Sequence, residues 1–271
     1  MSDRVIVSIA DGVADVRLNR ADKRNALDGD MFLALAEVGQ RLTTESGVRA
    51  VVLSGEGPSF CAGLDFSSFQ SMAGGGGAVG SERSGDPGRI DEGRITHLGQ
   101  QTAWVWQEVP VPVIAAVHGH ALGGGLQIAL GADIRIVHPD AQLSVREVHW
   151  GLVPDMTGTF VLSKLVRQDI ARELTYTARV VNGTEAAALG LATKVSETPH
   201  EDAMILATEI AQRSPGAVRG SKELFNRLFT AGAAEQFAAE RDTIRAQIGT
   251  PNQIEAVMAN MDKRAPTFTD P

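Results

Sequence analysis

The sequence contains a single cysteine, Cys61, among its 271 residues. One cysteine excludes a disulfide within the chain and any metal site built from several thiolates. Positive charge is also scarce, because 25 Lys and Arg side chains face 33 Asp and Glu and give a formal net charge of −8. Proteins built to bind nucleic-acid phosphates or anionic membranes carry the opposite balance. We therefore expect neither partner for this chain.

Long apolar runs are missing as well. No segment approaches the roughly 20 consecutive apolar residues that cross a membrane. The chain opens with Met1-Ser2-Asp3-Arg4 ahead of a short alternating strand pattern, rather than with the apolar core of a signal peptide. We expect a cytoplasmic protein without membrane contact. A chain of this length with 43% hydrophobic residues can form one substantial core and a small helical appendage.

Hydrophobic periodicity predicts an α/β protein. Residues 5–9 and 13–18 alternate around Asp11-Gly12, which indicates a β-hairpin. Residues 71–93 are rich in glycine and serine, and a flap over the site and a plain surface insertion are equally open for them. Further helices and strands are predicted at 31–42, 50–53, 95–108 and 113–117, and C-terminal helices at 201–213, 217–229, 233–248 and 252–261.

Three segments carry the candidate catalytic and ligand-binding residues. Residues 117–127 couple an apolar strand to Gly123-Gly124-Gly125 and a helical pattern, and residues 59–65 follow the strand pattern at 50–53. Glycine lets a ligand approach the main chain, and N–H groups at a helix start carry positive partial charge. These two segments can therefore direct two donors to one oxyanion. Residues 146–159 place two carboxylates around a loop with glycine and proline, which supplies candidate acid and base groups.

In order and spacing, these segments resemble the crotonase superfamily, the enoyl-CoA hydratase/isomerase family. Residues 18–27 are similar to the family's early CoA-contacting loop, and 131–136 to its strand after the glycine helix. The resemblance implies a crotonase-like spiral of ββα units in residues 1–200 and a helical oligomerisation region in 201–271. It also implies an acyl-CoA substrate, no metal, no cofactor because CoA is part of the substrate, and a homotrimer or a dimer of trimers.

Carried over by position, the resemblance implies that the backbone N–H groups of Leu64 and Gly124 form an oxyanion hole. Glu147 matches one of the two glutamates of a typical hydratase, whereas Gln127 stands in the position of the other. Asp155 lies where the family's dienoyl-CoA isomerases carry an acid. The implied contacts to CoA or substrate come from Lys23, Arg24, Ala26, Ala62, Gly63, Asp65, Gly123, Leu152 and Pro154, with Lys222 as a weaker phosphate candidate. Asp65 is also expected to help hold its loop.

The residue at position 127 favours one reaction over another. Hydration of a 2-enoyl-CoA in this family uses two carboxylates, and an amide cannot act as a general acid or base. Moving a double bond needs one shuttle base, so we expect isomerisation of an enoyl-CoA, or of a dienoyl-CoA with Asp155 as partner and Gln127 polarising or positioning the substrate. A conventional 2-enoyl-CoA hydratase of fatty-acid β-oxidation, a non-catalytic acyl-CoA-binding relative, and a thioester hydrolase or dehalogenase variant stay open.

Plain structural roles compete with several of these assignments. Asp155 is equally suited to cap the helix that begins near Thr157. A Lys-Arg pair in a loop is typical of a solvated surface, which is the alternative for Lys23 and Arg24. Cys61 has no basic partner placed by the sequence and is expected to be a small buried thiol. His118 and His120 share a spacing that could suit a metal, but the sequence indicates no third ligand.

Overall fold

A computed structural model describes residues 3–66, 90, 94–228, 246 and 249–270. The strands, labelled β1 to β9 in chain order, are Val5–Ala10, Val13–Leu18, Ala50–Gly55, Val113–Val117, His120–Leu122, Ile134–Val137, Gln142–Ser144, Val181–Asn182 and Lys194–Val195. The α-helices, labelled α1 to α9, are Gly29–Leu42, Leu98–Glu108, Gly124–Gly131, Gly158–Leu165, Gln168–Thr177, Gly183–Leu189, Pro199–Ala211, Pro215–Arg227 and Pro251–Asp262.

Strands β1 and β2 form the predicted hairpin. They pair antiparallel, with Val5 opposite Leu18 and Ala10 opposite Val13. Both turn residues have positive φ, 51° for Asp11 and 79° for Gly12. Positive φ at both central residues defines the tight turn whose twist matches that of the strands. The local sequence therefore accounts for the turn of this hairpin, and the prediction is confirmed.

The hairpin forms one edge of a six-stranded sheet with the strand order β1-β2-β3-β4-β6-β9. The pairings beyond the hairpin are parallel. Parallel neighbours need long crossover connections, and helices such as α1 between β2 and β3 provide them. The predicted α/β class is confirmed.

A second sheet has the strand order β5-β7-β8. The chain passes from the first sheet to the second between β4 and β5 and again between β6 and β7, and helix α3 follows β5. A parallel bridge between Cys61 and Ala121 adds the segment after β3 as a neighbour of β5. Strand, strand and helix thus recur as a coil, which matches the expected ββα units.

Both faces of the six-stranded sheet are buried. In β4, Val113, Ala115 and Val117 enter the larger core with α1 and α2, whereas Ile114 and Ala116 face a second core. Such two-sided burial explains why this strand is apolar throughout instead of alternating. Helix α7 covers the second face with three buried alanines at four-residue spacing, Ala203, Ala207 and Ala211.

The C-terminal helices begin earlier than the periodicity predicts. Helix α7 starts at Pro199 instead of residue 201, and α8 starts at Pro215 instead of 217. Proline is favoured in the first turn of a helix, where its missing N–H would have no partner within the helix. The prolines therefore mark the helix starts, ahead of the first periodic apolar residues.

Other sequence expectations have mixed outcomes. The helix predicted at 252–261 is α9, whereas the helix predicted at 233–248 and the segment 71–93 lie outside the described residues, except for residues 246 and 90. The division into 1–200 and 201–271 stays a prediction, and α7 at that boundary packs against the sheet. No helix in the described ranges has both the length and the apolar character needed to cross a membrane.

Helix α8 is anchored by the lysine that the sequence suggested as a phosphate ligand. The Lys222 side chain is 4% exposed. Its Nζ donates to the carbonyls of Trp106 and Val111 at 2.9 and 3.0 Å and to the Asp133 carboxylate at 2.8 Å. Burial lowers the pKa of Lys222, and Asp133 acts against this shift. An ammonium has three N–H donors, and all three are used here, so the phosphate interpretation is wrong.

Lys222→Met should lower the free energy of unfolding by about 2–4 kcal/mol, because methionine fills the space but leaves two buried carbonyls and the partly buried Asp133 carboxylate without the ammonium donor. Urea denaturation measures the loss. Lys194→Met is the matched control, since Lys194 contacts Asp202 at 2.7 Å with its side chain 58% exposed. An exposed pair contributes about 1 kcal/mol or less. Equal losses in the two variants would contradict a structural role for the buried ammonium.

Candidate active site

A cavity of about 850 Å³ opens beside the segments that follow β3, β5 and β7. The carboxyl ends of neighbouring parallel strands meet at one edge of a sheet, which is where α/β proteins place their sites. The start of helix α2 closes another side. The wall of the cavity includes Leu27, Ala62, Gly63, Leu64, His97, Gly123, Gly124, Arg146, Glu147, Trp150, Leu152 and Asp155.

Two backbone N–H groups on this wall have no acceptor in the described part of the chain. The Leu64 N–H lies between the bonds Leu27 N–H to Gly63 carbonyl, 2.8 Å, and Asp65 N–H to Leu27 carbonyl, 3.0 Å, and takes part in neither. Gly124 is the first residue of α3, so its N–H has no partner within the helix. The two predicted oxyanion donors therefore lie on one cavity, each free to bind a ligand oxygen.

The segment that carries Leu64 fits closely against β5. Gly63 has φ of +90°, and a Cβ atom at this position would lie 2.5 Å from the Leu122 carbonyl oxygen. A side chain would require both a strained backbone and a shift of β5. Glycine is required at position 63 because two chain segments approach each other closely there. The motif at 59–65 alone does not reveal this contact.

Polar contacts also hold this segment in place, through Asp65 as expected and through Arg20 and Asn25, which sequence reasoning missed. Arg20 Nη1 donates to the Asp65 carboxylate at 2.5 Å. The side chain of buried Asn25 donates to the carbonyls of Glu56 and Ser59 at 3.0 and 2.8 Å, and accepts from the Arg20 N–H at 2.7 Å. Asp65 thus supports the loop through its ion pair, in place of lining the cavity. Asn25 has φ of 56°, and asparagine tolerates this left-handed conformation well. The presence of an asparagine in this loop was therefore the available sequence signal.

Glu147 begins a 3₁₀ helix, Glu147–Trp150, and is 9% exposed. Its Oε1 accepts from Gln127 Nε2 at 2.6 Å. Its Oε2 is buried and has no hydrogen-bond partner among the described residues. Burial raises the pKa of the Glu147 carboxyl, the charge of Asp155 adds to the rise, and hydrogen bonds including that of Gln127 oppose it. A buried carboxylate oxygen without a partner is suited to accept a proton from a ligand.

Asp155 lies on the exposed loop before α4 and lines the same cavity as Glu147. The alternative that Asp155 caps this helix is wrong. The N-cap residue of α4 is Thr157, and the N–H groups of Met156 and Gly158 both donate to Gln127 Oε1 at 2.9 Å. The carboxylate of Asp155 is therefore not used in capping.

Gln127 is 2% exposed and is not part of the cavity wall. Its amide oxygen accepts two backbone N–H groups and its amide nitrogen donates to Glu147. This geometry contradicts the expectation that Gln127 polarises or positions the substrate. Its contacts lead instead to the general-base candidate and to the loop that bears Asp155.

The other predicted contact residues divide into two groups. Ala62, Gly63, Gly123 and Leu152 line the cavity, whereas Lys23, Arg24, Ala26 and Pro154 do not. Lys23 and Arg24 are exposed at the 3₁₀ helix Ala21–Lys23, which leaves both their phosphate role and the solvated alternative as predictions. The main chain of Ala26 already has hydrogen-bond partners. Its N–H donates to the Lys23 carbonyl, and its carbonyl accepts from the Arg20 side chain.

His97 and Arg146 on the cavity wall were missed by sequence reasoning. His97 directly precedes the first residue of α2. The predicted start of this helix was the available sequence signal for a polar side chain at this place. Arg146 Nη1 donates to the Ala178 carbonyl at 3.0 Å. The two histidines considered for a metal have protein partners: His118 contacts the Gly57 carbonyl, and His120 contacts the Ser59 hydroxyl, both at 2.8 Å.

Comparison with known proteins places these features in a family. Residues 8–271 match the model of the enoyl-CoA hydratase/isomerase family. The chain is 33% identical to the mouse mitochondrial Delta(3,5)-Delta(2,4)-dienoyl-CoA isomerase, over 96% of this chain and 79% of the relative. It is 34% identical to the short-chain-enoyl-CoA hydratase of Clostridium acetobutylicum, over 97% of this chain and 96% of the relative.

Solved structures agree with this relationship. The enoyl-CoA hydratase of Bacillus anthracis superposes with a TM-score of 0.84 at 29% identity, covering 98% of each chain. The chain belongs to the enoyl-CoA hydratase/isomerase family and has the crotonase fold, so the predicted family and fold are confirmed. It is an enzyme of the hydratase/isomerase type.

Cys61 should resist thiol reagents in the native protein. It is fully buried, and burial raises the pKa of its thiol to about 12. At pH 8 the thiolate fraction is then on the order of one in ten thousand. Ellman's reagent at pH 8 should therefore release no colour from the folded enzyme and one equivalent after unfolding in guanidinium. Rapid stoichiometric reaction of the folded enzyme would contradict this environment for Cys61.

Proposed function

We propose that this enzyme isomerises the double bond of an enoyl-CoA thioester, with Glu147 as the proton-shuttling base. The observation that carries the proposal is the Glu147 carboxyl group, because Glu147 lines the cavity and its Oε2 is buried with no hydrogen-bond partner in the described residues. Two free backbone N–H groups line the same cavity. A base and an oxyanion hole on one cavity are what α-proton transfer next to a thioester requires.

The oxyanion hole stabilises the charge that develops when the α carbon loses its proton. The electron pair of the C–H bond moves into the thioester, and its carbonyl oxygen becomes an enolate oxygen. The N–H groups of Leu64 and Gly124 hold this oxygen, and the second lies at the positive end of helix α3. Fixed donors cost no reorganisation during the reaction, which makes this the largest catalytic contribution.

Glu147 then supplies both proton transfers. Its Oε2 takes a proton from C2 of a 3-enoyl-CoA, and the protonated carboxyl returns it to C4 as the double bond settles between C2 and C3. One carboxyl group thus balances the reaction, and no water is consumed. Burial raises the pKa of the Glu147 carboxyl, and a more basic carboxylate is a better acceptor for a carbon-bound proton.

Asp155 extends the proposal to conjugated substrates. With a 3,5-dienoyl-CoA, Glu147 removes the proton from C2 and Asp155 passes a proton from solvent to C6, which yields the 2,4-diene, while Glu147 returns its proton to solvent. Both carboxyl groups line the cavity, and the mouse relative carries the name of a dienoyl-CoA isomerase. The pair would act at opposite ends of the conjugated system.

A conventional 2-enoyl-CoA hydratase is the second candidate, because the Clostridium relative carries a hydratase name. Hydration in this family uses two carboxylates on one water, and position 127 offers a neutral amide whose oxygen and one nitrogen donor are already engaged. This difference favours isomerisation. Thioester hydrolysis would rely on Asp155 as the water base.

Acyl-CoA is the proposed substrate, and the proton transfers described require no further cofactor. Direct use of the backbone at Ala62 and Leu64 and of Lys23 and Arg24 for CoA stays a prediction. The same holds for a homotrimer or a dimer of trimers, and for a cytoplasmic location.

The first test is a mass-resolved and spectrophotometric assay with 2-enoyl-, 3-enoyl- and 3,5-dienoyl-CoA. We expect bond migration without a mass gain of water, and a loss of about 10²–10⁴-fold in kcat for Glu147→Gln, because the proposed shuttle base is removed. Asp155→Asn should impair the dienoyl reaction more than the 3-enoyl reaction. Asp169→Asn is the matched control, since Asp169 is an exposed carboxylate paired with Arg167. Efficient hydration by the unmodified enzyme would contradict the proposal.

The oxyanion hole has its own test. Gly63→Ala should lower kcat by about 10²–10³-fold, because the clash with the Leu122 carbonyl displaces the adjacent Leu64 N–H. Gly47→Ala is the control: its φ is also positive, at +78°, but the nearest atom is 3.8 Å from the added Cβ. Steady-state kinetics and melting temperatures of both variants separate strain from lost catalysis. Similar kinetics for the two variants would argue against the assigned donor.

A further inference from the structure

We propose that Gln127 is a positioning residue that fixes the Glu147 carboxylate and the Asp155 loop in one arrangement and leaves Glu147 Oε2 as the oxygen that accepts protons. This inference rests on the proposed role of Glu147 as base. It assigns to Gln127 a task separate from substrate contact, since its side chain does not reach the cavity wall.

The amide uses hydrogen bonds to three different residues to do this. Nε2 donates to Glu147 Oε1 at 2.6 Å, and Oε1 accepts from the N–H groups of Met156 and Gly158 at 2.9 Å each. With a residue exposure of 2%, water does not compete for these bonds. Helix α3, the 3₁₀ helix of Glu147 and the start of α4 therefore meet at one side chain.

The orientation of the amide follows from its partners. Two backbone N–H groups can bind only an acceptor, so the amide oxygen faces Met156 and Gly158 and the nitrogen faces Glu147. The reverse orientation would place donors against donors and leave the carboxylate facing an acceptor. The donor offered to Glu147 is consequently fixed by the backbone of another loop.

The loop is built around this side chain. A Cβ atom on Gly158 would collide with Gln127 Oε1, so the residue that opens α4 has to be glycine for the amide to reach the N–H. Asp155 directly precedes Met156, whose N–H is bound to the same oxygen. Holding this N–H therefore restricts where the Asp155 carboxylate can lie relative to Glu147.

The neutral charge of Gln127 is part of the role. The charged or titratable side chains that share the cavity wall with Glu147 are His97, Arg146 and Asp155. A carboxylate at position 127 would add another negative charge at hydrogen-bond distance from Glu147 Oε1. Such a pair has to share a proton. The amide instead donates to Glu147 and partly offsets the burial that raises the pKa of this carboxyl.

Three variants test the inference: Gln127→Met, Gln127→Glu and the control Gln107→Met. Gln107 is also buried, and its Nε2 donates to the Gly131 carbonyl at 2.6 Å, away from the cavity. The primary measurement is the pH titration of the Glu147 carboxyl by ¹³C NMR on enzyme labelled at glutamate Cδ, with the signal assigned by its loss in Glu147→Gln. This readout needs no substrate, so it does not depend on which reaction the enzyme catalyses.

Gln127→Met should raise the pKa of Glu147 because a stabilising donor is lost, and should lower kcat on the order of 10²-fold through misplacement of the base while KM changes little. Gln127→Glu retains acceptors for Met156 and Gly158, and should raise the Glu147 titration further and split it into two coupled steps. Gln107→Met should leave the titration unchanged even if the melting temperature falls.

Unchanged Glu147 titration in a folded Gln127→Met variant would overturn the inference, as would a normal titration in Gln127→Glu. If Gln127→Met does not fold by circular dichroism, the Gln127→Glu titration decides alone. A shifted titration in an enzyme that proves to hydrate its substrate would leave the positioning role standing while the proposed isomerase function fails.

Discussion

The pairing of the segment after β3 with β5 is the contact on which the candidate site depends. The Cys61 N–H donates to the His120 carbonyl at 2.8 Å, and the Leu122 N–H donates to the Cys61 carbonyl at 3.1 Å. These bonds align two distant parts of the sequence side by side, so the N–H groups of Leu64 and Gly124 meet on one cavity. Cys61 suits this place because it is small and apolar and can be fully buried between the segments.

Most buried polar groups around the site have hydrogen-bond partners, and one of the exceptions is informative. Asn25, Gln127 and Lys222 each use several hydrogen bonds to distant chain segments. Their bonds hold loops and a helix that local preferences alone would not fix. Glu147 Oε2 is buried and has no partner in the described residues. An unmatched buried acceptor costs about 1–3 kcal/mol. In the proposed function, this cost is compensated by the availability of the oxygen for proton transfer.

Features with a local physical cause could be predicted from the sequence. The Asp11-Gly12 hairpin follows from turn geometry, and the strand-to-helix glycines indicated backbone donors because helix starts expose N–H groups. The roles of Lys222 and Gln127 could not be predicted in this way. Lys222 binds carbonyls more than one hundred residues away in sequence, and such contacts leave no periodicity. Asp155 beside a helix start looked equally like a cap, because only the fold reveals that Gln127 occupies that position.

The hydrogen bonds of Gln127 distinguish the structural role of its side chain from the effect of its charge on Glu147. Its oxygen meets two backbone N–H groups, and a glutamate oxygen could accept the same two bonds. These donors favour a negative charge, so a glutamate there would be stabilised as a carboxylate and would share a proton with Glu147. Glutamine has nearly the same shape but replaces the charge with a donor. The charge at this one position therefore determines whether Glu147 receives a hydrogen bond or faces a second acid. In the proposed function, that difference is what turns a hydratase framework towards bond migration.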